Sequence, residues 1–241
     1  VADLNTAVVR MLARADAQNH EEALKIIPDR VHPAFAGHLI MAEELLKAWN
    51  ARPVVSEVAI DASGSRPVVS AADHAQVTEL SAASGLAWTQ LDDALPLPFA
   101  AWNKGKGDGP LSLVFNSSDV AEALNEEGLR VTGLKDGVYS LKIDGEDAGT
   151  FNNDRLAQGI NLGLLSTPMA KQAKKVYDLT VSHCDLHNNR WRTIQVPLAD
   201  YDFQQSTPAM DALDALEREV VARRKQAAQP VPHHFTLTPV A

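Results

Sequence analysis

The segment PDRVHP, residues 28–33, sets a carboxylate, Asp29, and an imidazole, His32, three positions apart between two prolines. In a loop, three residues are enough to fold the Asp29 side chain back onto the ring of His32. An imidazole held by a carboxylate is half of a nucleophilic hydrolase, in which the ring moves a proton and the carboxylate orients it. The same letters also fit a proline-bounded turn, with Asp29 capping a helix and His32 standing on the surface. Spacing alone leaves both readings open.

Other chemistry-bearing residues are weaker. His183 and His187 are four apart and can share a helix face, but no third metal ligand is evident in the sequence. His20-Glu21-Glu22 is no zinc motif, because no second histidine follows four residues on. In HNNRWR, His187, Arg190, Trp191 and Arg192 read as packing over a site or holding a helical segment on its neighbour. Trp88 and Trp102 read as core or edge residues of a β-rich stretch, with a sugar platform as the alternative. His233-His234 reads as an exposed pair in a tail. The single cysteine, Cys184, reads as a small buried or half-buried hydrophobe and rules out an internal disulfide.

These residues need elements to position them. Val1–Asn5 reads as the end of a buried strand and Thr6–Arg14 as a helix. A second helical run, His20–Ile27, has Asn19 as its cap and carboxylates in its first turn. After PDRVHP, with Pro33 in the first turn, a helix is expected to bury Phe35, Leu39, Ala42, Leu46 and Trp49. VVSEVAID, residues 54–61, alternates and reads as a strand. Short β-runs follow as far as about Phe151, including Leu111–Phe115 and the run Tyr139, Leu141, Ile143. Asp144-Gly145 signals a hairpin. Asn161–Ser182 and Met210–Ala228 read as helices, and QPVPHHFTLTPV as an extended surface tail.

The chain has 241 residues, 45% of them hydrophobic and 22% charged, an ordinary globular composition. A formal net charge of −9 argues against a phosphate-backbone binder, so no nucleic-acid partner is expected. No window approaches the length of a membrane span. The start at Val1 shows no leader pattern and reads as an internal point of a longer chain.

Asp-x-x-His-Pro, a following Gly37-His38 pair and then a helix resemble the last signature block of the SGNH hydrolases, the GDSL esterases and lipases. The later run INLGLLSTPMAKQA and HNNRWR resembles the C-terminal extension of a bacterial subgroup. The resemblance covers essentially the whole chain. It implies the C-terminal end of a flavodoxin-like α/β/α domain over residues 1–52, a small all-β, sandwich-like module over 53–158, and a helical extension with an extended tail over 159–241. It makes His32 the general base and Asp29 its orienting partner, with Gly37 and His38 structural.

The family's nucleophile lies in a Gly-Asp-Ser block, and its oxyanion donors include an Asn in a Gly-x-Asn-Asp block. Neither is present: SGS at Ser63–Ser65, NSSD at Asn116–Asp119 and FNND at Phe151–Asp154 match in neither order nor setting. The chain therefore reads as the C-terminal part of a serine esterase, supplying base and carboxylate but not the nucleophile. No metal or organic cofactor is implied. The resemblance implies a small ester or an acylated carbohydrate as substrate and a secreted or periplasmic location. The rival reading is a non-catalytic accessory module that binds polysaccharide or a protein partner.

Overall fold

The computed structural model describes residues 1–83, 85–102, 109–201 and 203–240. The chain opens in helices, and the expected strand end at Val1–Asn5 is instead a helix start. The Asp3 carboxylate accepts the N–H groups of Asn5 and Thr6 and begins α1 (Leu4–Gln18). A carboxylate at that position satisfies donors that have no partner within the helix. Asn19 caps α2 (His20–Ala23) by accepting the Glu22 N–H at 3.2 Å, as its type and position imply.

The next helix, α3 (Phe35–Ala48), buries a different face from the one expected. Ala36, Gly37, Leu39, Ile40 and Glu43 face inward, while Phe35 and Trp49 are exposed. Small residues at the start of that face let α3 approach closely: a Cβ on Gly37 would meet the Ile26 carbonyl oxygen at 2.8 Å. Glu43 is admitted because Lys47 neutralises it, and Lys47 also reaches Asp119 at 2.9 Å. Pro33 lies outside the helix, before its cap Ala34.

The sheets begin with β1 (Val54–Asp61), β2 (Val68–Asp73), β3 (Ala75–Ser81) and β4 (Leu86–Asp92). Three helices follow: α4 (Phe99–Trp102), α5 (Pro110–Ser117) and α6 (Val120–Leu124). Leu111–Phe115, expected as a strand, is thus helical. A five-residue apolar run fits either state, and Pro110 at the first helical turn favours the helix. Phe99, Val114 and Val120 pack with Met11, Ile40 and, from the turn after α2, Ile26 into a core separate from the sheets.

Then come β5 (Glu126–Thr132), β6 (Val138–Ile143), β7 (Glu146–Asn152), α7 (Asn153–Gln158) and β8 (Ile160–Asn161). The Asp144-Gly145 turn joins β6 to β7 as its sequence signals. A long excursion follows: α8 (Pro168–Asn188), a π-helical stretch over 189–195, α9 (Val196–Leu198) and α10 (Ser206–Ala227). Pro168 stands in the first turn of α8, as expected. Cys184 is exposed on this helix, not buried, because α8 buries only its first two turns, at Met169, Ala170 and Ala173.

The tail is the largest departure. Residues 233–239 form β9, which lies between β4 and β6 in a five-stranded sheet of order β3-β4-β9-β6-β7. Phe235 and Leu237 alternate inward, as period-two residues of a strand must, and the flanking prolines hide that signal. The second sheet has the order β2-β1-β5-β8. Trp88, Ile60, Leu129, Leu141 and Phe235 fill the core between the sheets, with Trp88 stacked on Phe235 at 5.0 Å. The result is a mixed α/β fold of two sheets with helices.

Buried Asn125 fastens the segments before and after it. Its side chain accepts the Leu97 N–H at 2.6 Å and donates to the carbonyl oxygens of Leu97 and Gly163.

Candidate active site

The loop between α2 and α3 brings Asp29 and His32 together. Arg30 takes a left-handed conformation (φ 63°), and the loop closes through Ala34 N–H to the Ile26 carbonyl at 2.9 Å. Asp29 then uses both oxygens. Oδ1 accepts the N–H groups of Val31 (3.0 Å) and His32 (2.7 Å), and Oδ2 meets His32 Nδ1 at 2.6 Å. The His32 N–H, then its ring, then the Val31 N–H hold the Asp29 carboxyl down to about 2. An ionised carboxylate only accepts, so the proton of the His32 ring sits on Nδ1. Nε2 is left to take a proton from elsewhere.

That nitrogen faces outward. The His32 side chain is 84% exposed and Asp29 54%. No hydroxyl lies within hydrogen-bonding distance of Nε2 among the described residues. The two serine-bearing stretches, SGS and NSSD, and the FNND run lie in other settings. Ser63 follows β1 and donates its N–H to Asp61, Asn116–Asp119 joins α5 to α6, and Asn152 caps α7. His38 hydrogen-bonds through Nδ1 to the Ala34 carbonyl at 3.1 Å, within its own helix. Beside the pair, α1 and α2 form a groove of about 500 Å³ lined by Val9, Leu12, Leu24, Ile27 and Arg30. Val9 and Leu24 of its lining are exposed, as is Val31 in the loop that holds the pair. Apolar surface of that kind marks a face that ordinarily lies against something else.

The remaining candidates divide. His187 Nδ1 approaches Glu217 of α10 at 3.2 Å and Arg190 reaches Asp214 at 2.5 Å, so this run fastens α8 to α10 and does not touch Asp29 or His32. His183 lies 4.0 Å from the same Glu217 oxygen. Trp191 is exposed, with Arg192 over its ring at 5.3 Å. Trp88 is buried in the sandwich, whereas Trp102 belongs to α4 and packs edge-on against Phe35 and Tyr177. Among the described residues no group of three or more His, Cys, Asp or Glu side chains is placed to hold a metal ion. No helix among them is long and apolar enough to cross a membrane.

The sequence reading missed one pair altogether. His233, assigned to an exposed tail, is buried, and its Nδ1 meets Asp144 Oδ2 at 2.6 Å. Asp144 Oδ1 also accepts the His234 N–H at 2.8 Å. The alternation in HHFTLTP was the signal that could have placed this histidine on a strand. Nearby in the sandwich, Glu127 is fully buried and neither of its oxygens has a hydrogen-bond partner among the described residues. Burial first, and the Asp92 charge second, push the Glu127 carboxyl up to about 8.

No family model matches the chain, and no curated protein matches it in sequence. A solved structure, the gut microbial diltiazem-metabolizing enzyme BT4096, superposes with a TM-score of 0.73 at 21% identity, over 96% of this chain and 61% of that one. The likeness is one of fold, and this chain spans 61% of that neighbour's length.

Proposed function

We propose that this chain supplies the general base, His32, and its orienting carboxylate, Asp29, to a serine esterase of the SGNH type. The observation that carries this reading is the 2.6 Å contact between His32 Nδ1 and Asp29 Oδ2, with Nε2 free. In the proposed reaction a serine hydroxyl attacks the ester carbonyl carbon while its proton passes to Nε2. Ionised Asp29 stabilises the imidazolium that results. That proton then goes to the departing alkoxide, and water repeats the cycle on the acyl-enzyme.

The serine and the oxyanion donors are assigned to residues outside these 241. Two features support that assignment: the exposed apolar groove beside the pair, and a neighbour of the same fold whose chain is longer. That neighbour metabolizes diltiazem, an ester-bearing compound, which agrees with an ester as substrate here. Small acyl groups, including acetyl groups on carbohydrate, fit the resemblance of the sequence.

Labelling the whole protein with a fluorophosphonate tests the reading, because the reagent modifies only an activated serine. The expected result is one labelled serine outside residues 1–241, with labelling suppressed by His32→Ala. A label on a serine within these residues, or labelling indifferent to His32, would sink it.

A further inference from the structure

A second groove, of about 460 Å³, runs along β5 between α7 and β8, on elements that carry neither Asp29 nor His32. We infer that it binds a neutral, polyhydroxylated ligand, a saccharide. The inference is independent of the esterase reading, since no residue of the groove belongs to the loop that holds His32. Its volume lies within the roughly 300–1,000 Å³ of small-ligand clefts.

The lining selects the ligand class. Glu57, Glu122 and Glu126 line the groove together with Arg130 and Arg155, and none of the five makes an ion pair among the described residues. A strongly anionic or cationic ligand would meet one set of like charges. A hydroxyl group both donates and accepts, so it can serve carboxylates and guanidinium groups alike. Asn161 is already oriented for this. Its Oδ1 accepts the N–H groups of Glu127 and Gly163, both at 3.0 Å, which fixes the amide. The Asn161 Nδ2 group is thereby held as a donor with no partner among the described residues. A polar group locked by its own hydrogen bonds loses little entropy when it binds.

Two glycines shape the cleft. Gly128 stands opposite Glu57 in the strand register, and a Cβ there would lie 3.4 Å from Glu57 Cγ. Its bare backbone keeps the floor open. Gly149 (φ 132°) clears room for the Phe151 ring, which a Cβ at that position would meet at 2.9 Å. Phe151 then lines the groove and offers an aromatic face of the kind that sugar C–H groups pack against.

Native gels cast with arabinoxylan, galactomannan or dextran test this directly. Retarded migration of the protein in at least one of the three is expected. Gly128→Leu, which fills the floor without a positive φ to strain it, should abolish the retardation. Arg155→Ala, on the exposed rim, should raise the concentration needed for half-maximal retardation at least tenfold. Unchanged circular dichroism and melting temperature of Arg155→Ala keep the test valid if Gly128→Leu does not fold. No retardation in any of the three gels, or retardation untouched by both substitutions, overturns the assignment.

Discussion

Two Asp–His pairs in this molecule have almost the same local geometry, but one ring stands in solvent and the other is buried. In each, an aspartate Oδ2 lies 2.6 Å from histidine Nδ1, while Oδ1 accepts a backbone N–H. Each also involves a left-handed residue that is not glycine: Arg30 within the first pair and Asp144 itself in the second. Yet the His32 side chain is 84% exposed and the His233 side chain 9%. The hydrogen bond therefore does not define the role. A ring whose Nε2 faces outward can exchange a proton with a substrate-bound group. A ring sealed between strands can only hold the chain together, here joining the start of β9 to the β6–β7 turn.

The sharpest way to test this contrast is to delete each ring. On the proposed reading, His32→Ala in the whole protein should lower the kcat/KM of ester hydrolysis by about a thousandfold or more. Its melting temperature should hardly move, because exposed side chains contribute within about 0.5 kcal/mol. Asp29→Ala should cost less, roughly 10- to 1,000-fold in kcat/KM, since water or a carbonyl can partly replace an orienting carboxylate. An Asp29→Ala protein with wild-type rates would reduce PDRVHP to a turn.

The pair with the buried ring should behave inversely. His233→Ala is expected to destabilise the fold by about 2–3 kcal/mol in urea titrations, through the lost hydrogen bond and the space left behind. Rates measured below the unfolding transition should stay near wild type. A His233→Ala protein of unchanged stability would mean that the His233–Asp144 contact holds nothing.

Glu127 extends the same contrast to pH. Its folded-state pKa of about 8 lies above the ordinary value of 4.5. The folded protein thus binds a proton that the unfolded chain releases, so this stabilisation is complete below pH 4.5 and is lost as pH rises through about 8. Glu127→Gln cannot titrate. Its melting temperature relative to wild type should therefore rise between pH 5 and pH 8.5; a difference that is flat with pH would refute the buried-acid account. The smallest effect is expected from His38→Ala, with activity retained and stability lowered by less than about 1 kcal/mol.

The exposed pair was legible in the sequence because it is local. Three residues, a polar loop and two prolines specify Asp29 and His32 without help from distant parts of the chain. The Val- and Ile-rich strand Val54–Asp61 and the alternating strand Val138–Ile143 were legible for the same reason. The second pair was not, because Asp144 and His233 are 89 positions apart and meet only through sheet pairing. The misassigned helix at Leu111–Phe115 and the rotated face of α3 share that cause. At Leu111–Phe115, Pro110 and packing against α1 decided between the two states, and in α3 packing against α1 chose the buried face.

The place of β9 has a consequence for how the molecule is made. Without β9, the five-stranded sheet is two separate hairpins, β3–β4 and β6–β7, with no strand joining them. The ribosome delivers that joining strand after every other strand and after the long α8–α10 excursion. Until it emerges, Trp88 lacks the Phe235 ring it stacks on and the inner edges of both hairpins stay unpaired. Unpaired edges next to exposed apolar faces invite association between nascent chains. The helical core around α1 can close early, whereas the sandwich must wait for its last seven residues, and in that interval the chain most needs protection from its own copies.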